Sequence, residues 1–227
     1  MNTTLTLDVA WRPVVPSHYL RSSANIVAGF TQGQELAIWR NGDGVVQVWE
    51  NRCPHRGTRL TLGRILNDRL SCAYHGWEFG ANGGKCTVIP AHPKAPAPKQ
   101  LCVKTFSAAE FDGMVWVSLE QSSLPPEGEG DERAPPCRTF VRTLGLRAPF
   151  PEAMCVLLAH GWKALSSHVL QGQFVGQTVT LFMTDATDEL SFAHIWTEAS
   201  EAAILLPVFR AAESVRNLVE AQSSLRS

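Results

Sequence analysis

Cys53, His55, Cys72 and His75 are the residues whose types and spacing carry chemistry: a Cys-x-His pair and a Cys-x-x-His pair, with sixteen residues between His55 and Cys72. Thiolate and imidazole are both metal ligands, so four of them in two short segments describe a metal centre. Two readings compete. Zinc accepts two cysteines and two histidines, but zinc fingers take both cysteines from one local element and both histidines from another. Here each segment supplies one of each. That division suits a pair of bridged irons, one bound by both thiolates and the other by both imidazoles. A single zinc ion stays open as the alternative.

The neighbouring residues suit two tight ligand loops. Gly57 and Gly76 stand just after the histidines, where the backbone has to turn sharply, and glycine enters positive φ without strain. Pro54 stiffens the first loop. Trp77 and Tyr74 either screen the centre from water or simply pack, and Arg56 reads as a solvated surface charge. The other cysteines, Cys86, Cys102, Cys137 and Cys155, lack ligand spacing and are expected to be small buried hydrophobes.

The elements that position these loops read as short strands. QELAIWR and VVQVW flank NGDG, and WEFG and KCTVIP flank ANGG; both are hairpin signals. GMVWVSL, residues 113–119, reads as a further strand rich in β-branched and aromatic residues. PAHPKAPAPK, with Pro90, Pro93, Pro96 and Pro98, is an extended surface path. SSLPPEGEGDERAPP has little to bury, so residues 122–138 are expected to link a domain over 1–121 to a smaller one over 139–227. In the second part QTVTLFM and LSFAHIW flank TDATDE as a hairpin. Ile204, Val208, Ala212, Val215 and Val219 then follow helical spacing, which predicts one closing amphipathic helix of about four turns with Pro207 in its first turn. The fold class expected is α+β: an all-β first domain, then a smaller α+β domain closed by a C-terminal helix.

Composition bounds the function classes. The 227 residues hold twenty basic and twenty-one acidic side chains, so no net field gathers nucleic acid or an anionic membrane. The start, MNTTLTLDVAWRPVVP, has no basic residue before Arg12 and no secretory apolar core, and the apolar run from Ala202 to Phe209 falls short of a bilayer span. A cytoplasmic protein without a membrane segment is expected.

With these residues on the page, the chain from Trp11 to about Glu120 resembles the N-terminal domain of Rieske non-haem iron oxygenases, especially the vanillate O-demethylase and N-demethylase branch. The matching stretches are AWRPVV, NRCPHRGTRLTLGRI, LSCAYHGWEFGANGGKCTVIPAHP and FDGMVWVSLE. The resemblance implies a Rieske 2Fe-2S cluster on Cys53, His55, Cys72 and His75. Respiratory Rieske proteins carry an additional disulfide, and Thr58 and Tyr74 stand at the corresponding positions here, which implies the oxygenase or ferredoxin kind of centre. It implies as partners a flavin or ferredoxin-type reductase and oxygenase subunits in a homo- or hetero-oligomer.

The family's second metal is a mononuclear iron held by two histidines and a carboxylate. GWKALSSHVLQGQF resembles that stretch, with His168 at the first histidine, but Leu165 stands for the expected Asp and Gln173 for the second His. His160, His168 and His194 are the histidines of the second part, and Asp185, Asp188 and Glu189 read as a solvated turn. The resemblance implies a shortened catalytic domain, with His168 as the candidate ligand of that mononuclear iron. Three functions follow from this: an oxidoreductase component relaying electrons from a reductase to non-haem iron; a self-sufficient monooxygenase or demethylase of a small aromatic or N-methyl compound; or a non-catalytic redox-sensing or remnant module.

Overall fold

The computed structural model describes residues 11–120 and 138–223. The first of these segments contains ten strands: β1 (Trp11–Pro16), β2 (Ile26–Thr31), β3 (Gln34–Arg40), β4 (Val46–Glu50), β5 (Arg64–Leu66), β6 (Arg69–Ser71), β7 (Glu78–Gly80), β8 (Cys86–Val88), β9 (Thr105–Phe111) and β10 (Met114–Ser118). They make a six-stranded antiparallel sheet, β1-β10-β9-β4-β3-β2, and a four-stranded sheet, β5-β6-β7-β8. Both expected hairpins form: β3 pairs with β4 across the NGDG turn, and β7 with β8 across ANGG. Pro90 to Lys99 carry no strand.

The second segment contains β11 (Thr139–Leu146), α1 (Phe150–Ala159), β12 (Lys163–Ala164), β13 (Val169–Phe174), β14 (Gln177–Thr187), β15 (Leu190–Thr197), α2 (Ala202–Ala211) and α3 (Glu213–Ser223). Its sheet runs β11-β15-β14-β13-β12. In β14, Val179, Leu181 and Met183 face the core that α1 and α3 complete, while Phe182 points the other way. Successive strand side chains alternate between faces, so the unbroken burial from Val179 to Thr184 means that both faces are covered. The second cover is the first segment: Trp11, Met114 and Trp116 pack with Phe182 and Trp196.

Polar groups lock the same contact. The Thr184 hydroxyl donates to the Pro13 carbonyl, which leaves its oxygen free to accept from His194 Nε2 at 3.2 Å. His194 Nδ1 then accepts from the Thr143 hydroxyl at 2.8 Å. One neutral imidazole thus ties β11, β14 and β15 to β1. Asp185 adds an ion pair with Arg12 at 3.2 Å and accepts from Thr31 at 2.9 Å, while the Asp185 and Ala186 carbonyls accept from the Gln32 and Gly33 amides. Asp185 therefore anchors the contact between the two segments and does not belong to a solvated turn. Only Asp188 and Glu189 turn the hairpin, because these bonds keep the backbone extended through Thr187.

The C-terminal helix also differs from expectation. Val208, Ala212, Val215 and Val219 are buried as the spacing requires, but two helices meet at Ala212. Pro207 lies inside α2 and not in its first turn. Lacking an N–H, it leaves the Ala203 carbonyl without its usual partner and weakens the helix there. The expected linker over 122–138, apart from Arg138, lies outside the described residues, as does Cys137. Among the described residues no helix is long and apolar enough to cross a membrane.

Burial lowers the His194 pKa from 6.5 to about 3 and also lowers His168. The unfolded chain takes up these protons below about pH 6.5, whereas native His194 refuses one until about pH 3. Stability present at neutral pH is therefore expected to fall as the pH drops through that window, by about 1.4 kcal/mol per pH unit for a single group. Denaturant titrations at a series of pH values should show this slope, and His194→Gln should flatten it while lowering the plateau.

Candidate metal centre

The two ligand loops are built on one hydrogen-bond frame. In the first, the Cys53 amide donates to the Thr58 carbonyl at 2.8 Å and the Gly57 amide to the Cys53 carbonyl at 2.8 Å. In the second, the Cys72 amide donates to the Trp77 carbonyl at 2.9 Å and the Gly76 amide to the Cys72 carbonyl at 3.0 Å. Each loop thus closes between a cysteine and the residue five places on, with a glycine one place earlier at φ +74° or +67°. An L side chain at such φ is strained, which explains Gly57 and Gly76.

Sheet structure holds both loops in place. The second loop bridges β6 and β7, with Ser71 paired to Glu78 just outside it. The first runs from β4 to a short 3₁₀ turn at Leu60–Leu62. Asn51, buried, clamps it: its side-chain oxygen accepts from the Thr61 amide at 2.9 Å, and its amide group donates to Thr61 Oγ1 and Glu35. The second join is Gly63, packed so closely on the Ser71 carbonyl that a methyl group there would overlap it. Asn51 and Gly63 were not evident as site residues from the sequence, since their roles depend on contacts ten and eight residues away.

This frame sorts the four candidate ligands by chemistry. Cys53 and Cys72 are both 3% exposed, within one apolar cluster with Trp39, Trp49, Leu60 and Phe79. The thiols are within hydrogen-bond reach, and burial first, then Cys72, pushes the Cys53 thiol up to about 11, against the pull of the His55 and Arg56 amides. His55 and His75 lie together at the rim, ring centroids 4.8 Å apart, His75 exposed and His55 half-buried. Partial desolvation, then the His75 and Arg56 charges, hold His55 below the usual imidazole value. Neutral imidazole is the ligating form. Trp77 is half-buried and stacks flat on His55, whereas Tyr74 leans on His75 but is 59% exposed and screens little.

A thiol pair inside and an imidazole pair outside fit two bridged metals, one for each donor type. Zinc would draw its donors to a single point. Among the described residues no three His, Cys, Asp or Glu side chains converge in that way.

The sequence of residues 10–107 matches the Rieske [2Fe-2S] domain family. Over 124 residues, 54% of this chain, it is 44% identical to the oxidoreductase NdmD of Pseudomonas putida. Over 118 residues, 52% of this chain, it is 35% identical to the 3-chlorobenzoate-3,4-dioxygenase oxygenase subunit of Comamonas testosteroni. Residues 10–107 are a Rieske [2Fe-2S] domain, similar to that of Rieske non-haem iron oxygenase components. Its group is accordingly a Rieske [2Fe-2S] cluster, which the donor sorting above accommodates. The fold extends the likeness: the apo dicamba monooxygenase structure superposes with a TM-score of 0.75 at 18% identity, over 96% of this chain and 87% of the other. The chain spans only 20% of NdmD and 27% of the dioxygenase subunit.

His168 is the residue that the sequence resemblance places at a second iron site. His168 is 4% exposed, donates from Nδ1 to the Met183 carbonyl at 2.9 Å and stacks on Phe150. Asp185, the carboxylate that acts on it, is taken up by Arg12 and Thr31. Leu165 and Gln173 offer neither carboxylate nor imidazole, so the described residues around His168 do not make up a two-histidine, one-carboxylate set. His194 is committed to two threonines, and exposed His160 bonds the Val156 carbonyl at the end of α1. Among the described residues, Cys86 is the one remaining cysteine that is a buried hydrophobe; Cys102 and Cys155 are exposed. Cys155 points outward because Ala153, Val156 and Leu157 take the inner face of α1. Cys102 follows the proline-rich stretch, where no second layer covers it.

Gly63→Ala is expected to destabilise the protein by roughly 2 kcal/mol, because backbone cannot yield as a side chain does. It should also lower the iron bound per chain, since Ser71 leads directly into Cys72. Denaturation midpoints and iron analysis of the variant check both effects.

Proposed function

We propose that Cys53 and Cys72 hold one iron of the cluster and His55 and His75 the other, and that the chain is an electron-transfer component of a Rieske oxygenase system. When bound, such a cluster takes up and gives out one electron at a time. The observation that carries this reading is the sorting of donors: thiols in the apolar interior, imidazoles at the surface, where a partner's redox centre can approach. Residues 1–121 would form the electron-transfer domain and 139–227 a shortened oxygenase-like domain, joined through 122–138. The electron would come from a flavin or ferredoxin-type reductase and pass to the non-haem iron of an oxygenase subunit, in the cytoplasm. Relatives named as an oxidoreductase and as a dioxygenase oxygenase subunit support that setting.

The chain's own part is structural and electrostatic. The apolar cluster excludes water from the thiolates, and the amides of His55 and Arg56 aim at the Cys53 sulfur and stabilise its negative charge. The closed loops keep the ligands from reorganising when the charge changes. The sparse surroundings of His168 favour a relay over a self-sufficient demethylase.

Anaerobically purified protein is expected to contain two irons and two acid-labile sulfides per chain. A reductase and limiting NADH should bleach it by one electron, and adding a full-length oxygenase subunit whose non-haem iron is ferric should restore the colour as that iron takes the electron. Three irons per chain, the third lost in His168→Ala, would favour the self-sufficient enzyme instead. Cys53→Ala and His75→Ala should each abolish the reduced-state electron paramagnetic resonance signal.

A further inference from the structure

The shared frame of the two loops is broken at the residue that closes it. In the first loop the closing carbonyl belongs to Thr58, a small residue; in the second it belongs to Trp77. The Trp77 ring does not turn to the histidine of its own loop. It crosses to the other loop and lies on His55, centroids 4.1 Å apart and planes 5° from parallel. Besides His55, its own loop's histidine meets Tyr74, at 3.8 Å and 31°, and that ring is 59% exposed. Trp77 also packs against the apolar cluster that encloses the two thiols, so its ring is held from behind. One imidazole is therefore clamped and the other left open.

We propose that Trp77 is a positioning residue for His55: a brace between the two ligand loops that sets the imidazole plane, keeps water off one of its faces and so tunes the reduction potential of the centre. This rests on the reading that His55 is an iron ligand. Charge counting gives the sign. Two ferric ions, two sulfides and two thiolates sum to zero with neutral imidazoles, and adding one electron makes the centre −1 with no bond broken. Water stabilises the charged form, so a residue that excludes water from a ligand face holds the potential down. A flat stack also restricts rotation about the bond to the metal, which no aliphatic side chain of similar volume can do.

The test uses the whole chain carrying its cluster, with Trp77→Leu, Trp77→Met and Trp77→Phe. Midpoint potentials come from anaerobic redox titration, and the spectrum of the reduced state from electron paramagnetic resonance. The Leu and Met variants are expected to keep two irons, to shift the potential to more positive values and to broaden the spectrum. Trp77→Phe, which retains a ring, should return both readouts most of the way to the parent. Tyr74→Leu should move the potential less than Trp77→Leu does. Unchanged potential and spectrum in Leu and Met variants that hold full iron would overturn the proposal. Loss of iron from both would overturn it too, because Trp77 would then be needed to fold the site. Failure of the parent protein to bind iron would instead refute the ligand assignment itself.

Discussion

Two thiol groups side by side in an apolar interior, with two imidazoles just above them at the surface, set the terms for everything else in this protein. Adjacent thiolates without a cation would be strongly disfavoured there, as the upward push on Cys53 by burial and by Cys72 indicates. The same position becomes favourable once iron supplies the opposing charge. The imidazoles face the reverse requirement: they have to stay neutral and accessible, and desolvation, then the charges of His75 and Arg56, hold the His55 pKa below its usual value. Few backbones satisfy both demands. Two loops with matched amide-to-carbonyl closures do so, which is why a small four-stranded sheet, a buried asparagine and a glycine pressed on the neighbouring carbonyl are all found around them.

The C-terminal segment is tied to this platform by groups of unequal kind. Trp11, Trp116, Phe182 and Trp196 give the contact its area, while His194, Thr184 and Asp185 give it a register. Burial penalises the charged form of the imidazole that bridges the two threonines, so acid loosens the join. Asp185 and His168, the groups most suggestive of a second metal by type, are spent on holding structure together.

Much of the first segment was legible because its signals are local. Ligand spacing, turn glycines and alternating strands act over a few residues, and the hairpins at NGDG and ANGG and the irregular proline stretch all follow from them. What escaped was long-range. Trp77 reads as even between screening and packing until its ring is seen to cross to the opposite loop. Asp185 looks like turn composition, yet Arg12 and Thr31 reach it from more than 150 residues away in the chain. Pro207 was expected to begin a helix because proline favours first turns, but burial of Val208 and packing against α3 draw the helix back to Ala202 in spite of it. Cys102 and Cys155 are exposed because neither lies under a second layer, which composition does not reveal.

The central claim is that the two irons have different ligands, thiolates on one and imidazoles on the other. Mössbauer spectroscopy of protein grown on ⁵⁷Fe tests it most directly. Two iron sites of equal area should appear in the oxidised state with distinct isomer shifts, and on one-electron reduction only the imidazole-bound site should become ferrous. Two equivalent sites, as four thiolates would give, or a protein that takes up zinc and no iron, would contradict it.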